Sequence, residues 1–175
     1  MELGLQTADA QSAAFIRRGY PLSVFTQAVY ALAERNIPVV VHIILGLPGE
    51  SRETVLRTID YLNRLPIQGI KLQLLHVLSD SDLADLYRAG EYTPLEKEEY
   101  LTLVGDCIAH LRADIVLHRL TGDGDKNTLL APLWSLRKRD VLNHLHRYLR
   151  ENHIRQGMSC KIDLSVIYNK PKDVL

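Results

Sequence analysis

Val39-Val40-Val41-His42-Ile43-Ile44-Leu45-Gly46-Leu47-Pro48-Gly49-Glu50 decides the fold. Six of the seven residues from Val39 to Leu45 are apolar, His42 being the exception, and most are β-branched. Pro38 precedes them and a Gly/Pro-rich turn follows. A run this short, with these flanks, reads as a strand buried in a parallel sheet rather than as a helix. Upstream, Val24, Phe25, Ala28, Val29 and Leu32 form the apolar stripe of a helix from about Pro21 to Arg35, which Asn36 and Pro38 end. Downstream, Ser51 is the expected N-cap of a helix over 52–64, with Val55, Leu56, Ile59 and Leu62 inward and Pro66 as its stop. Gly69 to Leu75 is the next strand, and Leu3 to Gln6 a short strand before them all. The order β-α-β-α-β with short connections means a parallel sheet with right-handed crossovers.

Beyond His76 the pattern changes. Thr93-Pro94-Leu95-Glu96 reads as a capping box opening a helix to about His110. Ile115 to His118 reads as a fourth strand. Ser135 reads as the cap of a last helix to about Asn152, and 161–168 as an extended tail. The division is residues 1–78, a half-barrel, and 79–175, a mainly helical extension.

Composition narrows the functional classes. Apolar residues make up 46% of the 175, enough for a packed core. Lys+Arg and Asp+Glu are 21 each, so the chain as a whole is not a basic nucleic-acid binder. The balance hides a segment, 79–106, with eight acids and two bases, and a helix, 135–155, with six Lys/Arg and two acids. Two cysteines, Cys107 and Cys160, make neither a disulfide framework nor a four-cysteine metal site. With no long apolar run and no signal-peptide pattern at the start, the expected compartment is the cytoplasm.

Side chains alternate along a strand, so Glu2, Gly4 and Gln6 share a face, as do Val40, His42 and Ile44, and Lys71 and Gln73. Each strand has one apolar face for covering helices and at least one polar group on the other. A packed barrel interior would be Val, Ile and Leu there. These polar groups instead line a ligand-filled interior, or they satisfy one another. Gly46 to Glu50, between a strand and a helix, stands where parallel folds bind ligands, and is also an ordinary βα turn. His42, His76 and His118 lack metal-ligand spacing. Cys107 reads as a core residue and Trp134 as a packing anchor. No nucleophile elbow supports a hydrolase.

The ordered set Glu2-Leu3-Gly4-Leu5-Gln6-Thr7, Ile16-Arg17-Arg18-Gly19-Tyr20, His42 to Glu50 and Gly69 to Val77, extended by His118 to Asp123 and Ala131 to Ser135, resembles the second half of a radical S-adenosylmethionine (SAM) barrel. It is similar to a bacterial subgroup of Fe–S oxidoreductases related to oxygen-independent coproporphyrinogen dehydrogenase and the elongator catalytic subunit. The resemblance implies an α/β fold: parallel strands 4–6 of a partial (β/α)6 barrel plus a helical C-terminal extension. It implies SAM as cofactor, and a [4Fe–4S] cluster only in a longer protein, because the Cys-x3-Cys-x2-Cys loop is absent here. The fragment is then inert as a radical enzyme, and its exposed first strand is expected to self-associate.

By the resemblance, Gln6 contacts the ribose and Arg18 the methionine carboxylate, with Arg17 as rival. His42 stands where relatives carry a ribose-binding acid. Ile44 and Gly46 pack on adenine. Leu72, Gln73 and Leu74 offer backbone to its edge. Lys71, His76, Arg119 and Asp123 are substrate-side candidates, the last two equally readable as an ion pair. Gln73 and Tyr20 depart from the histidines the family pattern implies. The alternative function is an RNA- or protein-binding module using the basic helix 135–150.

Overall fold

A computed structural model of the chain describes residues 1–122 and 124–162. Four parallel strands form its sheet: β1 (Glu2–Gln6), β2 (Val40–Leu45), β3 (Gly69–Leu74) and β5 (Val116–Arg119), in the spatial order β1-β2-β3-β5. The helices between them are α1 (Ala10–Phe15), α2 (Leu22–Ala33), α3 (Arg52–Leu62), α4 (Asp82–Arg88) and α5 (Lys97–His110), with α6 (Lys138–Glu151) last. β4 (Val77–Leu78) and β6 (Leu129–Ala131) make a separate antiparallel ribbon. The α/β architecture expected from the central apolar run is therefore the one observed.

Strand period explains the two unlike faces of the sheet. Val41, Ile43 and Leu45 of β2 and Ile70, Leu72 and Leu74 of β3 are buried. They join Phe25 and Val29 of α2, Val55, Ile59 and Leu62 of α3, and Tyr100, Val104 and Ile108 of α5 in one core. The opposite face, with His42, Ile44, Lys71 and Gln73, is half-exposed. One apolar face covered by helices and one polar face left open is what the alternation dictates. The main core draws on α5, β5 and α6 as well as on the first 78 residues.

Several local expectations move by a few residues. Ser51 does cap α3, accepting a hydrogen bond from the Thr54 amide at 3.3 Å. The capping box at α5, however, is Glu96 with Glu99, not Thr93 with Glu96. Glu96 N–H donates to Glu99 Oε2 at 2.9 Å, which leaves Pro94 outside the helix. Ser135 does not cap α6: it sits in a 3-10 turn, Leu133–Leu136, and its hydroxyl donates to Pro132 O at 2.8 Å. Trp134 is the packing anchor expected of it, its ring 5.5 Å from that of Tyr100 and its N–H on Leu95 O at 3.2 Å. α1, α4 and the β4–β6 ribbon are additions, too short to leave a periodic signal. The cap of α1 was nonetheless written in the sequence: Asp9 accepts from the Ser12 amide at 2.9 Å.

Candidate functional site: the open sheet face and its carboxyl-terminal rim

The lower part of the open face is an ion cluster. In-register pairing sets Gly4 beside His42 and His42 beside Lys71. Glu2 joins them: Lys71 Nζ donates to Glu2 Oε1 at 2.6 Å, and His42 Nε2 lies 2.8 Å from Glu2 Oε2. The Lys71 bond, and after it the His42 bond, hold the Glu2 carboxyl below the usual carboxylate value. Here the polar groups of neighbouring strands satisfy one another, and His42 directs a ring nitrogen at a protein carboxylate. Gln73 lies further up the same face, opposite Ile44. Arg119, at the end of β5, is the register partner of Lys71.

Above the cluster the face opens into a cleft of about 510 Å³ lined by Gly4, Gln6, Ile16, Arg18, Tyr20 and Ile44. A bulge creates it. The β1–β2 register slips between Gly4 and Gln6, and Gln6 takes a left-handed φ of 63°. Non-glycine residues held in that region cluster at ligand clamps. A Cβ on Gly4 would lie 2.4 Å from Gln6 Nε2, so the missing side chain is the space the Gln6 amide occupies. Arg18 ties the wall together. Its Nη1 donates to Leu5 O at 3.2 Å and Thr7 O at 2.6 Å, its Nε to Tyr20 O at 3.1 Å, and its guanidinium stacks 5.1 Å from the Tyr20 ring centre. The Tyr20 hydroxyl donates to Gly4 O. Arg17, one residue earlier, turns away to Asp82 of α4 at 2.6 Å.

Other candidates fall elsewhere. Leu72 and Leu74 point their side chains into the helix-covered core, so only their backbone belongs to the open face. Gly46 has φ 91° and its carbonyl accepts from the Tyr92 hydroxyl at 2.8 Å. His76 follows β3, with its Nε2 buried and without a hydrogen-bond partner among the described residues. Asp123 lies outside the described residues, as does most of the extended tail expected over 161–168.

Sequence reading did not single out the network that joins the rim loops. Thr7, 1% exposed at the end of β1, donates to Glu50 Oε1 at 2.5 Å and accepts from the Asp9 amide at 3.0 Å. Thr58 of α3 accepts from the Ala8 amide at 3.0 Å. The Gly-Leu-Pro-Gly-Glu turn is thus pinned to β1. Burial pushes the Glu50 carboxyl above its ordinary 4.5, opposed by the Thr7 bond. The folded state then holds this proton more tightly than the unfolded chain does. Its stabilisation is full below pH 4.5 and is lost as pH rises through the folded value. Melting wild type and Glu50→Gln side by side from about pH 4 to about pH 7 is expected to show wild type falling relative to the variant. Parallel curves would assign the effect to another group.

A cubane cluster does not fit this chain. Cys107 is fully buried in α5 and burial pushes its thiol far up, away from the thiolate a cluster needs. Cys160 stands beside Asn63 Nδ2 at 3.7 Å. No group of His, Cys, Asp and Glu among the described residues can hold a metal ion. No helix among them is long and apolar enough to cross a membrane.

Residues 67–151 match the radical SAM C-terminal domain. The chain is 34% identical to YtqA of Bacillus subtilis over 90% of its own length and 49% of that protein. It is 33% identical to YhcC of Escherichia coli K12 over 88% of its length and 50% of that protein. A tRNA uridine(34) acetyltransferase of Methanocaldococcus jannaschii is 24% identical over 59% of this chain and 20% of that one. Among solved structures, Methanocaldococcus infernus Elp3 lacking its N-terminus superposes with a TM-score of 0.75, at 17% identity, over 89% of this chain and 36% of that one. The chain spans about half the length of the curated relatives YtqA and YhcC. It resembles the C-terminal half of a radical SAM superfamily protein, and it shares the α/β architecture of the corresponding region of Elp3.

Proposed function

We propose that this chain is the SAM-binding half, with its C-terminal extension, of a radical SAM Fe–S oxidoreductase, inactive in radical chemistry without a cluster-bearing partner segment. The supporting observation is the single cleft in which Gln6, Arg18 and Ile44 meet. Each has a chemistry suited to one part of SAM. An amide both donates and accepts, as two ribose hydroxyls require. A guanidinium donates strongly to a carboxylate, and because the three bonds made by Arg18 use Nε and Nη1, Nη2 is the nitrogen that would meet it. Ile44 offers an apolar wall to the base. Once bound and reduced by a cluster, SAM supplies the radical in this superfamily; the residues here hold and orient it. Calorimetry on the 175-residue chain is expected to register SAM binding that Gln6→Ala weakens about tenfold, or about 1.4 kcal/mol. Absence of heat with the wild type would remove the reading.

A second reading is RNA binding, favoured by a groove of about 790 Å³ at the start of α6. Lys126, Arg137, Lys138 and Arg139 line it, with Asp140 as the one acid. A relative that acts on tRNA is consistent with it. Filter binding of a mixed tRNA sample is expected to weaken at least about tenfold between about 50 and 200 mM salt. Arg137→Glu with Arg139→Glu is expected to abolish it. A salt-insensitive signal would count against this reading.

A further inference from the structure

A groove of about 450 Å³ runs between α3 and α5 and shares no lining residue with the Gln6 cleft. Val55 in it is 3% exposed, and Leu95 and Leu103 are half-buried. Its rim is acidic. Glu98 and Glu99 are exposed there, and Glu50 and Asp106 join them. Arg52, the only base among the described residues that line it, already sits on Asp106 at 2.5 Å. An apolar strip with a charged rim, left open between two packed helices, is a surface suited to a further segment of chain.

The chain itself returns to the far end of this groove. After α6, Gly157 N–H donates to Ile108 O at 3.2 Å and Ser159 N–H to Ala109 O at 2.8 Å. Asn63 Nδ2 ties the end of α3 to that of α5 by donating to His110 O at 2.7 Å, and it lies 3.7 Å from Cys160 Sγ. Cys160 therefore sits where the two helices meet at their carboxyl ends. Residues 163–175 follow from there. From Ala109 back to Glu99 is about 15 Å along α5. Extended chain covers that distance in about five residues. The segment has a matching pattern: Leu164, Val166 and Tyr168 fall at every second position, and Lys170 and Lys172 come next, opposite in sign to the rim.

We propose that residues 163–172 of this chain lie along the α3–α5 groove, with Leu164 and Val166 against Val55, Leu95 and Leu103 and the two lysines beside Glu98 and Glu99. The occupant is the chain's own tail rather than that of a second copy, because a segment tethered this close is at high effective concentration. Gly46 and Glu50 also line the groove, so the tail braces from outside the turn that Thr7 pins from within. The proposal goes beyond the SAM reading and does not rest on it: calorimetry with SAM and the experiment below can fail separately.

The experiment is protein-observed NMR on the 175-residue chain with its leucine and valine methyls labelled. Magnetisation transfer is expected from the Val166 methyls to those of Val55 and Leu103, unchanged on about tenfold dilution. In a mixture of differently labelled copies, it is expected within a copy and not between copies. Lys170→Glu with Lys172→Glu is expected to reduce the transfer at least about twofold, because two attractions become two repulsions. Absent transfer, transfer to methyls elsewhere, transfer only between copies, or a charge-reversed tail that stays in place would each overturn the proposal.

Discussion

Arg112→Ala is expected to destabilise the chain by about 3–5 kcal/mol, a large share of the about 5–15 kcal/mol that holds a domain together. Arg112 is 2% exposed, among the largest fully buried side chains. Its Nη1 donates to Asn63 O at 2.8 Å and Leu65 O at 3.3 Å, its Nη2 to Ile67 O at 3.3 Å, and its Nε to Asp114 Oδ1 at 2.8 Å. Those carbonyls belong to the segment between α3 and β3. Truncation takes the donor from the Asn63 and Ile67 carbonyls, leaves Leu65 O only the Ile67 amide at 2.8 Å, and leaves Asp114 without this ion pair. Arg112→Lys is expected to recover little, because an ammonium cannot fork across three carbonyls. Urea unfolding followed by circular dichroism measures the effect. A loss below about 1 kcal/mol would mean that water replaces the guanidinium. The functional consequence is direct, since the 63–67 segment sets the start of β3, which carries Lys71 and Gln73.

Gly4→Ala is expected to reduce SAM affinity at least tenfold, about 1.4 kcal/mol, with little change in stability. The new methyl would lie 2.4 Å from Gln6 Nε2, the far end of a flexible side chain. The amide can swing out at small cost, so the fold survives while the group proposed to meet the ribose leaves its place. Thermal melts and calorimetry on the same sample separate the two effects. Unchanged SAM affinity, with the fold intact, would mean that the Gln6 amide does not contact the ligand.

Much of the architecture was legible because it follows from short-range rules. The β2 run, the α2 stripe and the Ser51 cap each carry their own period or their own hydrogen-bonding residue. Each structure lies within a few residues of its expectation. The cap of α5 was misplaced because two acids compete near Pro94. Glu99 prevailed over the Thr93 frame through a bond that only the folded geometry reveals. The β4–β6 ribbon pairs two residues with three across some fifty positions, and no local pattern encodes that.

The candidate site divides in the same way. Alternation along β1, β2 and β3 already put Glu2, His42 and Lys71 on one face, since side-chain direction in a strand is a local property. Which of the adjacent arginines lies beside Gln6 was left open by the sequence. It was decided by the bulge after Gly4, which offers the Leu5 and Thr7 carbonyls to Arg18, while Asp82, 65 residues downstream of Arg17, draws that residue away. The buried roles of Arg112, Thr7 and Glu50 were equally invisible, because each depends on partners brought together from distant segments. Periodicity and caps are written residue by residue and can be read alone. Burial, charge pairing and the shape of a cleft are properties of what ends up adjacent, and they exist only once the chain has folded.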